Sequence, residues 1–291
     1  MYLTFNKGMP IGFIRGGKYK KKLISITENP NHSNVPQNFI EYTDKKYRSK
    51  KKAWDNEELI DRLRKGTEEG PEGIRAKNDK GKALDLFNGL IEPIPNPDKR
   101  DVIYVGAPSG AGKTVFCATY AKNFKRFWPK KKIYLFSKVD EDQSIDVVKG
   151  IIRINLDQVV ENNVNGKLLE DSLCIFDDCD TIRDDKVRKE VLKIQDDLLQ
   201  TGRHNNIYII MTSHLLNKGS SSRVTMQELN KIVIFPGTGS LYFIKYCLKV
   251  YMGLEKDDIK RIVQLPTRWV MLSTHHPRYY LYQTGVRLLT R

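Results

Sequence analysis

The 291-residue chain has no long apolar run: no window approaches the roughly 18 uninterrupted apolar residues that crossing a bilayer demands. Its first ten residues carry Lys7 and Gly8 where a secretory signal would place its apolar stretch. A soluble intracellular protein is expected. Cysteine is scarce, and Cys117, Cys174, Cys179 and Cys247 form no CxxC pair. Each sits in an apolar segment, which reads as a free thiol acting as a small core hydrophobe. Internal repeats are absent. Negative charge is also short, with 35 Asp and Glu against 50 Lys and Arg, a net charge of +15. That imbalance favours contact with a polyanion. The excess is clumped in Lys18-Tyr-Lys-Lys-Lys22, in Lys45 to Lys52, and in Lys122 to Lys132, where Phe124, Phe127 and Trp128 are interleaved.

What is present divides the chain in three. Residues 1–52 read as a small β-rich region with a basic loop, from short strands at Tyr2–Phe5, Ile11–Ile14 and Leu23–Ile26 followed by a polar stretch over 28–52. Residues 53–97 read as a short amphipathic helix, Trp54 to Lys65, and a mobile linker rich in Gly, Glu and Lys over 66–82. Residues 98–291 show strand–helix alternation, with C-terminal helices and a hairpin of Trp269–Leu272 with Tyr279–Tyr282. Strands are expected at Asp101–Val105, Lys132–Phe136, Leu173–Phe176 and Ile207–Thr212. Helices are expected from Lys113 to about Phe127 and from Asp184 to Thr201, the second ending at Gly202 as its C′ residue. The alternation predicts an α/β fold with a mostly parallel sheet flanked by helices.

The Gly-rich segment Ala107-Pro-Ser-Gly-Ala-Gly-Lys-Thr114 lies between an expected strand and an expected helix. A triphosphate packs several negative charges into a small volume and needs converging backbone N–H donors. Gly110 and Gly112 allow that conformation, and the helix adds the positive end of its dipole. The nucleotide-binding set is Ala107, Pro108, Ser109, Gly110, Ala111, Gly112, Lys113, Thr114 and Val115. Lys113 is expected at the β- and γ-phosphates and the Thr114 hydroxyl on Mg²⁺.

Downstream, Leu173-Cys-Ile-Phe-Asp-Asp178 puts two carboxylates at the end of a buried strand, where open α/β sheets bind their ligands. Asp177 is assigned to Mg²⁺ and Asp178 to polarising the attacking water. A third segment, Gly202-Arg-His-Asn-Asn206 and the strand after it, would run between the two motif strands and deliver Thr212, Ser213 and His214 to the γ-phosphate. His214 is the expected sensor, and Arg203 the expected arginine finger for a neighbouring subunit's nucleotide. His275 and His276 are assigned to a turn, with no metal.

These three segments together resemble the genome-packaging ATPases of large DNA viruses and virophages, the poxvirus-type branch of the FtsK–HerA superfamily. Ile234 to Ser240, Leu265-Pro-Thr-Arg-Trp-Val270 and Pro277 to Tyr282 look like the same branch, and Pro10 to Lys18 does so more weakly. The resemblance implies a RecA-like P-loop NTPase of the additional-strand, catalytic-glutamate type. It implies ATP and Mg²⁺ as ligands, double-stranded DNA as substrate, and a homo-oligomeric ring of five or six subunits. It further implies a capsid or portal partner and, for a viral protein, location at cytoplasmic virus-assembly sites and in the virion. One position departs from the pattern: His214 stands where the superfamily usually has Gln; Ala107 takes the first loop position usually held by Gly, where a small residue suffices. The basic aromatic stretch Phe124–Lys132 and the loop Asn217–Arg223 are the candidate DNA contacts. A helicase, a cellular DNA pump or a nucleoside phosphotransferase remain the alternative functions; no further helicase motif and no Arg-rich lid are found.

Overall fold

The protein is described by a computed structural model covering residues 1–35, 38–42, 74–78, 81–86, 88–161, 164–216 and 227–289. The chain forms two compact units, Met1–Glu92 with Pro277–Arg291, and Pro93–His276. The expected helix over 54–65 and the loop 217–223 lie outside the described residues.

The first unit opens with β1 (Tyr2–Thr4), β2 (Met9–Arg15) and β3 (Leu23–Thr27), which pair antiparallel in the order β1-β3-β2. The register of β2 against β3 shifts between Pro10 and Gly12, and Ile11 and Ile14, which lie three residues apart, are both buried. Next come β4 (Asn38–Tyr42) and β5 (Ile74–Asn78), an antiparallel pair in full register. This corrects the reading of 28–52 as a polar loop and of 66–82 as a mobile linker: each holds one strand of an antiparallel pair, too short to stand out from the polar sequence around it. After them, β6 (Ala83–Asp85) and β7 (Leu90–Pro93) complete the N-terminal contribution.

The second unit is built on six parallel strands. They are β8 (Val102–Gly106), β9 (Lys132–Ser137), β10 (Ile151–Arg153), β11 (Ser172–Asp177), β12 (Tyr208–Ser213) and β13 (Lys231–Ile234). Their spatial order is β10-β9-β11-β12-β8-β13, and β14 (Val270–Ser273) adds antiparallel to β13. Every residue of β8, β11, β12 and β13 is buried, as expected of strands covered on both faces. Phe136 and Phe176 sit directly opposite each other on β9 and β11 and stack at 4.6 Å. The fold is therefore α/β with a mostly parallel sheet flanked by helices, and β12 does run between the two motif strands.

Helix α1 (Lys113–Phe127) buries Phe116, Cys117, Tyr120, Ala121 and Phe124, a stripe at 3.6-residue spacing. Two short turns, α2 (Gln143–Asp146) and α3 (Leu156–Val159), precede α4 (Asp185–Thr201). The Asp184 side chain caps α4 by accepting from the Lys186 and Val187 N–H groups. At its other end Gly202 is right-handed, φ −57°, rather than the left-handed C′ residue expected. The reason is a close approach: Arg100 donates to the Leu198 and Leu199 carbonyls, and a Cβ on Gly202 would stand 2.5 Å from Arg100 Nη1. A side chain from elsewhere in the fold thus does the capping that a left-handed glycine would otherwise perform. Helix α5 (Leu241–Tyr246) continues as a π-helical turn through Tyr251, and α6 (Lys256–Gln264) follows.

The chain then returns to the first unit with β15 (Tyr279–Tyr282) and β16 (Gly285–Leu288), a strand the sequence reading missed. They pair with each other, β16 pairs in turn with β6, and the Tyr282 hydroxyl donates to Asp85.

One buried ion pair anchors the N-terminal end of β8. Asp101 accepts from Lys231 Nζ at 2.7 Å, from the Tyr120 hydroxyl at 2.6 Å and from the Asn96 N–H at 3.1 Å. Asp101 and Lys231 are both buried. Removing one partner strands a charge in the core, so Lys231→Ala is expected to cost about 3–5 kcal/mol. A clear fall in Tm checks this, with much of the loss recovered when Lys231→Met is combined with Asp101→Asn; an unchanged Tm would contradict it.

Candidate functional site

The parallel strands end at one edge of the sheet, and the predicted chemistry gathers there. β8 ends at Gly106, opposite Ser213 of β12 on one side and Ile234 of β13 on the other. The loop then turns over the edge, with the Ala107 N–H donating to the Ser213 carbonyl at 3.0 Å. Gly110 has φ +75° and open space around its Cα, so its requirement is conformational alone. Gly112, at φ +107°, is the cap residue just before α1, and a Cβ there would meet the Arg268 guanidinium at 3.0 Å. Lys113 is the first residue of α1, buried, with Nζ donating to the Ala107 carbonyl at 3.1 Å. The ammonium is thus folded back over the loop. Thr114 and Val115 follow on the first turn, and Val115 is half exposed at 50%.

Asp177 ends β11 and is buried; Asp178 follows at φ +48°, a left-handed conformation that a non-glycine residue rarely adopts. That turn swings Asp178 towards the loop. Its Oδ2 lies 3.4 Å from Lys113 Nζ and 3.0 Å from His214 Nε2. His214 also faces Lys113, with Nδ1 3.4 Å from Nζ. Both imidazole contacts are hydrogen bonds when Nε2 carries the proton, donating to Asp178, while Nδ1 accepts from Lys113. Lys113, Asp178 and His214 therefore form a closed triangle drawn from the start of α1 and the ends of β11 and β12.

Thr212 joins that triangle to Asp177. Its hydroxyl accepts from the Asp178 N–H at 2.9 Å and lies 2.8 Å from Asp177 Oδ1 and 3.0 Å from Asp178 Oδ1. One hydroxyl proton serves one carboxylate at a time, so Thr212 holds the two acids as a unit. Burial pushes the Asp177 carboxyl above the usual carboxylate range and the Asp178 charge adds to that, while the Thr212 hydrogen bond and Lys113 oppose it. Beneath the site, burial drives the Cys117 thiol well above its ordinary range. All four cysteines are free and buried.

The sequence reading did not single out Arg268. It lies two residues before β14, which runs antiparallel to β13 and so begins at the edge where the parallel strands end. Arg268 Nε donates to the Ala111 carbonyl at 2.9 Å, and next to it Trp269 packs edge-on against Phe116 of α1 at 5.2 Å. The Leu265–Val270 segment was noted in the sequence for its resemblance; only the antiparallel turn-back of β14 reveals that its arginine covers the phosphate loop.

Arg203 stands apart. It follows α4 and precedes β12, at the opposite edge of the sheet from the loop, exposed, with Nε 3.4 Å from His204 Nε2. The six residues of β12 separate it from Ser213 by roughly 20 Å at about 3.3 Å per residue. It does not reach its own chain's loop. His275 and His276 lie in the turn after β14, where the Ser273 hydroxyl donates to the His275 carbonyl. Among the described residues no cluster of three or more His, Cys, Asp or Glu side chains forms a metal site by itself. No described helix is long and apolar enough to cross a membrane.

Much of the basic aromatic stretch Phe124–Lys132 is engaged locally. Phe124 is fully buried, Lys125 Nζ donates to the Pro129 and Lys131 carbonyls, and Lys131 pairs with Asp171 at 2.6 Å over the Trp128 ring. Its basic residues are therefore less available than their density suggests.

No protein-family model matches the chain. It is 38% identical over 219 residues to a protein of the Sputnik virophage named uncharacterized protein V3, an alignment taking in 74% of this chain and 89% of that protein. The chain belongs to the V3 family. Among solved structures it is similar to the genome packaging NTPase B204 of Sulfolobus turreted icosahedral virus 2 bound to AMPPCP. That match has 11% identity and a TM-score of 0.44, covering 64% of this chain and 97% of that one. It is also similar to the cytoplasmic domain of the Thermomonospora curvata type VII secretion ATPase EccC, at 10% identity and a TM-score of 0.46, covering 72% and 29%.

Because the Thr212 hydrogen bond holds the Asp177 carboxyl down against burial, Thr212→Val should move its titration to higher pH. Carboxyl-carbon NMR of Asp177 in the two proteins checks this. An equal or lower midpoint in the variant would show that Thr212 does not hold the acid.

Proposed function

We propose that this protein is an ATP-hydrolysing motor that moves double-stranded DNA, as a viral genome-packaging ATPase does. The observation that carries the reading is the triangle of Lys113, Asp178 and His214 beside a strand–loop–helix phosphate cradle. A triphosphate in the cradle would meet the N–H groups of the loop and the start of α1, and its charge would compete with Asp178 for the Lys113 ammonium. Asp178 released from Lys113 is then a carboxylate held by Thr212 and His214, fit to orient and deprotonate a water for attack on the γ-phosphorus.

The oxygen donors at this edge suit Mg²⁺, a hard cation that keeps water and phosphate oxygens and takes only one or two protein ligands. Thr114 and Asp177 would hold it, and when bound it neutralises charge on the β- and γ-phosphates. Asp177 is already tethered through Thr212, so the cation and the water-activating acid share one scaffold. Arg268 would lie against the nucleotide's phosphates from the β14 side. Arg203, remote from its own loop, would serve a neighbour's nucleotide in a ring of like subunits.

The net charge of +15 suits a motor that grips phosphates without reading bases. A cavity of about 690 Å³ beside the ends of β9 and β10 favours the phosphotransferase alternative. Two of its basic residues are already committed, however: Lys138 to the Thr181 hydroxyl and Arg153 to Asp146. Membership of a virophage family and the motif resemblance support the packaging role, with a capsid component as partner.

The test is ATP turnover with and without duplex DNA. Stimulation is expected, with Lys113→Ala inactive and Asp178→Asn still binding nucleotide while turning over about 10²–10⁴-fold more slowly. Mixing Arg203→Ala with Asp178→Asn subunits should restore part of the rate; no recovery would remove Arg203 from the trans role. Turnover indifferent to DNA, with a nucleoside becoming phosphorylated, would sink the motor reading.

A further inference from the structure

The first unit carries a second feature the nucleotide site does not use. Between β2 and β3 the chain makes a tight tip, Arg15 to Lys22, holding four lysines in five residues. The tip is built rather than loose. Ile14 and Lys22 close it through Ile14 N–H to Lys22 O and Lys21 N–H to Ile14 O, both 2.9 Å; the Lys20 and Lys22 N–H groups donate to the Gly17 and Tyr19 carbonyls. Its base is pinned by backbone: a Cβ on Gly17 would fall 1.4 Å from the Asn88 carbonyl oxygen, and one on Gly89 would fall 2.9 Å from that of Gly16.

The charge on this tip is unneutralised. Arg15 pairs with Glu92 at 2.9 Å, but Lys18, Lys20, Lys21 and Lys22 have no ion pair among the described residues, and all four are exposed. Tyr19 packs on Phe5 with ring centroids 4.8 Å apart, and Lys18 and Lys22 flank the Tyr19 ring at 5.7 and 5.9 Å. Like charges are thus held together at the end of a hairpin whose backbone is already ordered.

Lys21 adds an independent sign. Its φ is +70°, a left-handed conformation that glycine adopts freely and lysine does not. A side chain kept where the backbone favours glycine points to a use for the side chain. Lysines, unlike the forked guanidinium of arginine, present point charges with little directional demand. That suits contact with evenly spaced phosphates rather than recognition of one carboxylate geometry.

We propose that the β2–β3 tip, through Lys18, Lys20, Lys21 and Lys22, grips the phosphate backbone of duplex DNA. This rests on the DNA-motor reading and adds to it a contact outside the nucleotide-binding unit. The tip positions the duplex without reading sequence, and its contribution is counterion release.

Binding of the full chain to a random-sequence duplex, titrated against salt, tests it. With all four lysines changed to Gln, log K against log salt should flatten by about 3–4, at roughly 0.9 per phosphate contact. Affinity at low salt should fall by about tenfold or more, with DNA-free ATP turnover unchanged. Lys21→Gly should flatten the slope by about 1 without lowering Tm, because glycine suits that φ; this variant keeps the test open if the quadruple change fails to fold. Equal affinity and slope in wild type and variants would overturn the tip while leaving the motor reading intact. A wild-type chain that neither binds duplex nor responds to it would sink both. Loss of binding to phosphatidylserine vesicles with DNA binding untouched would make the partner an anionic membrane and overturn the proposal.

Discussion

The arrangement depends on one topological constraint, the insertion of β12 between β8 and β11. Parallel pairing on both sides brings the end of β12 level with the phosphate loop and with the two acids. Only from that position can Thr212 touch both carboxylates while His214, two residues on, touches Asp178 and Lys113. A one-residue slip would turn these side chains to the other face of the sheet. The buried strands on either side make such a slip costly, so the apolar core sets the precision of the polar edge.

The two edges of the sheet then have different duties. The edge where the parallel strands end gathers the loop, the acids, His214 and Arg268. At the other edge, Asp101, Lys231 and Tyr120 fix the start of β8, and Arg100 closes α4. Burial and the nearby Arg203 lower the Arg100 pKa while Glu228 raises it, so two guanidinium groups share that corner. Arg100 is spent on the helix carbonyls, and Arg203 is left outward.

The phosphate loop and the paired acids were legible in the sequence because their chemistry demands fixed residue types within a few positions. The existence of β12 was legible through its apolar run. Other features needed three dimensions. The sequence placed Thr212 near the γ-phosphate with Ser213 and His214, but its contact with both carboxylates appears only in the folded chain. Arg268 lies more than 150 residues from Gly112 in the chain, and only the reversal at β14 brings it over the loop. Gly202 suggested a left-handed cap, whereas its small size makes room for Arg100. β4 and β5 escaped notice because each is a five-residue strand set within a long polar stretch of sequence.

The central claim is that this edge converts ATP hydrolysis into movement along a duplex. The most direct measurement is displacement of a third strand from a triplex placed on linear double-stranded DNA. The account predicts displacement with ATP, and none with a non-hydrolysable analogue. Hydrolysis stimulated by DNA but leaving the third strand in place would contradict it.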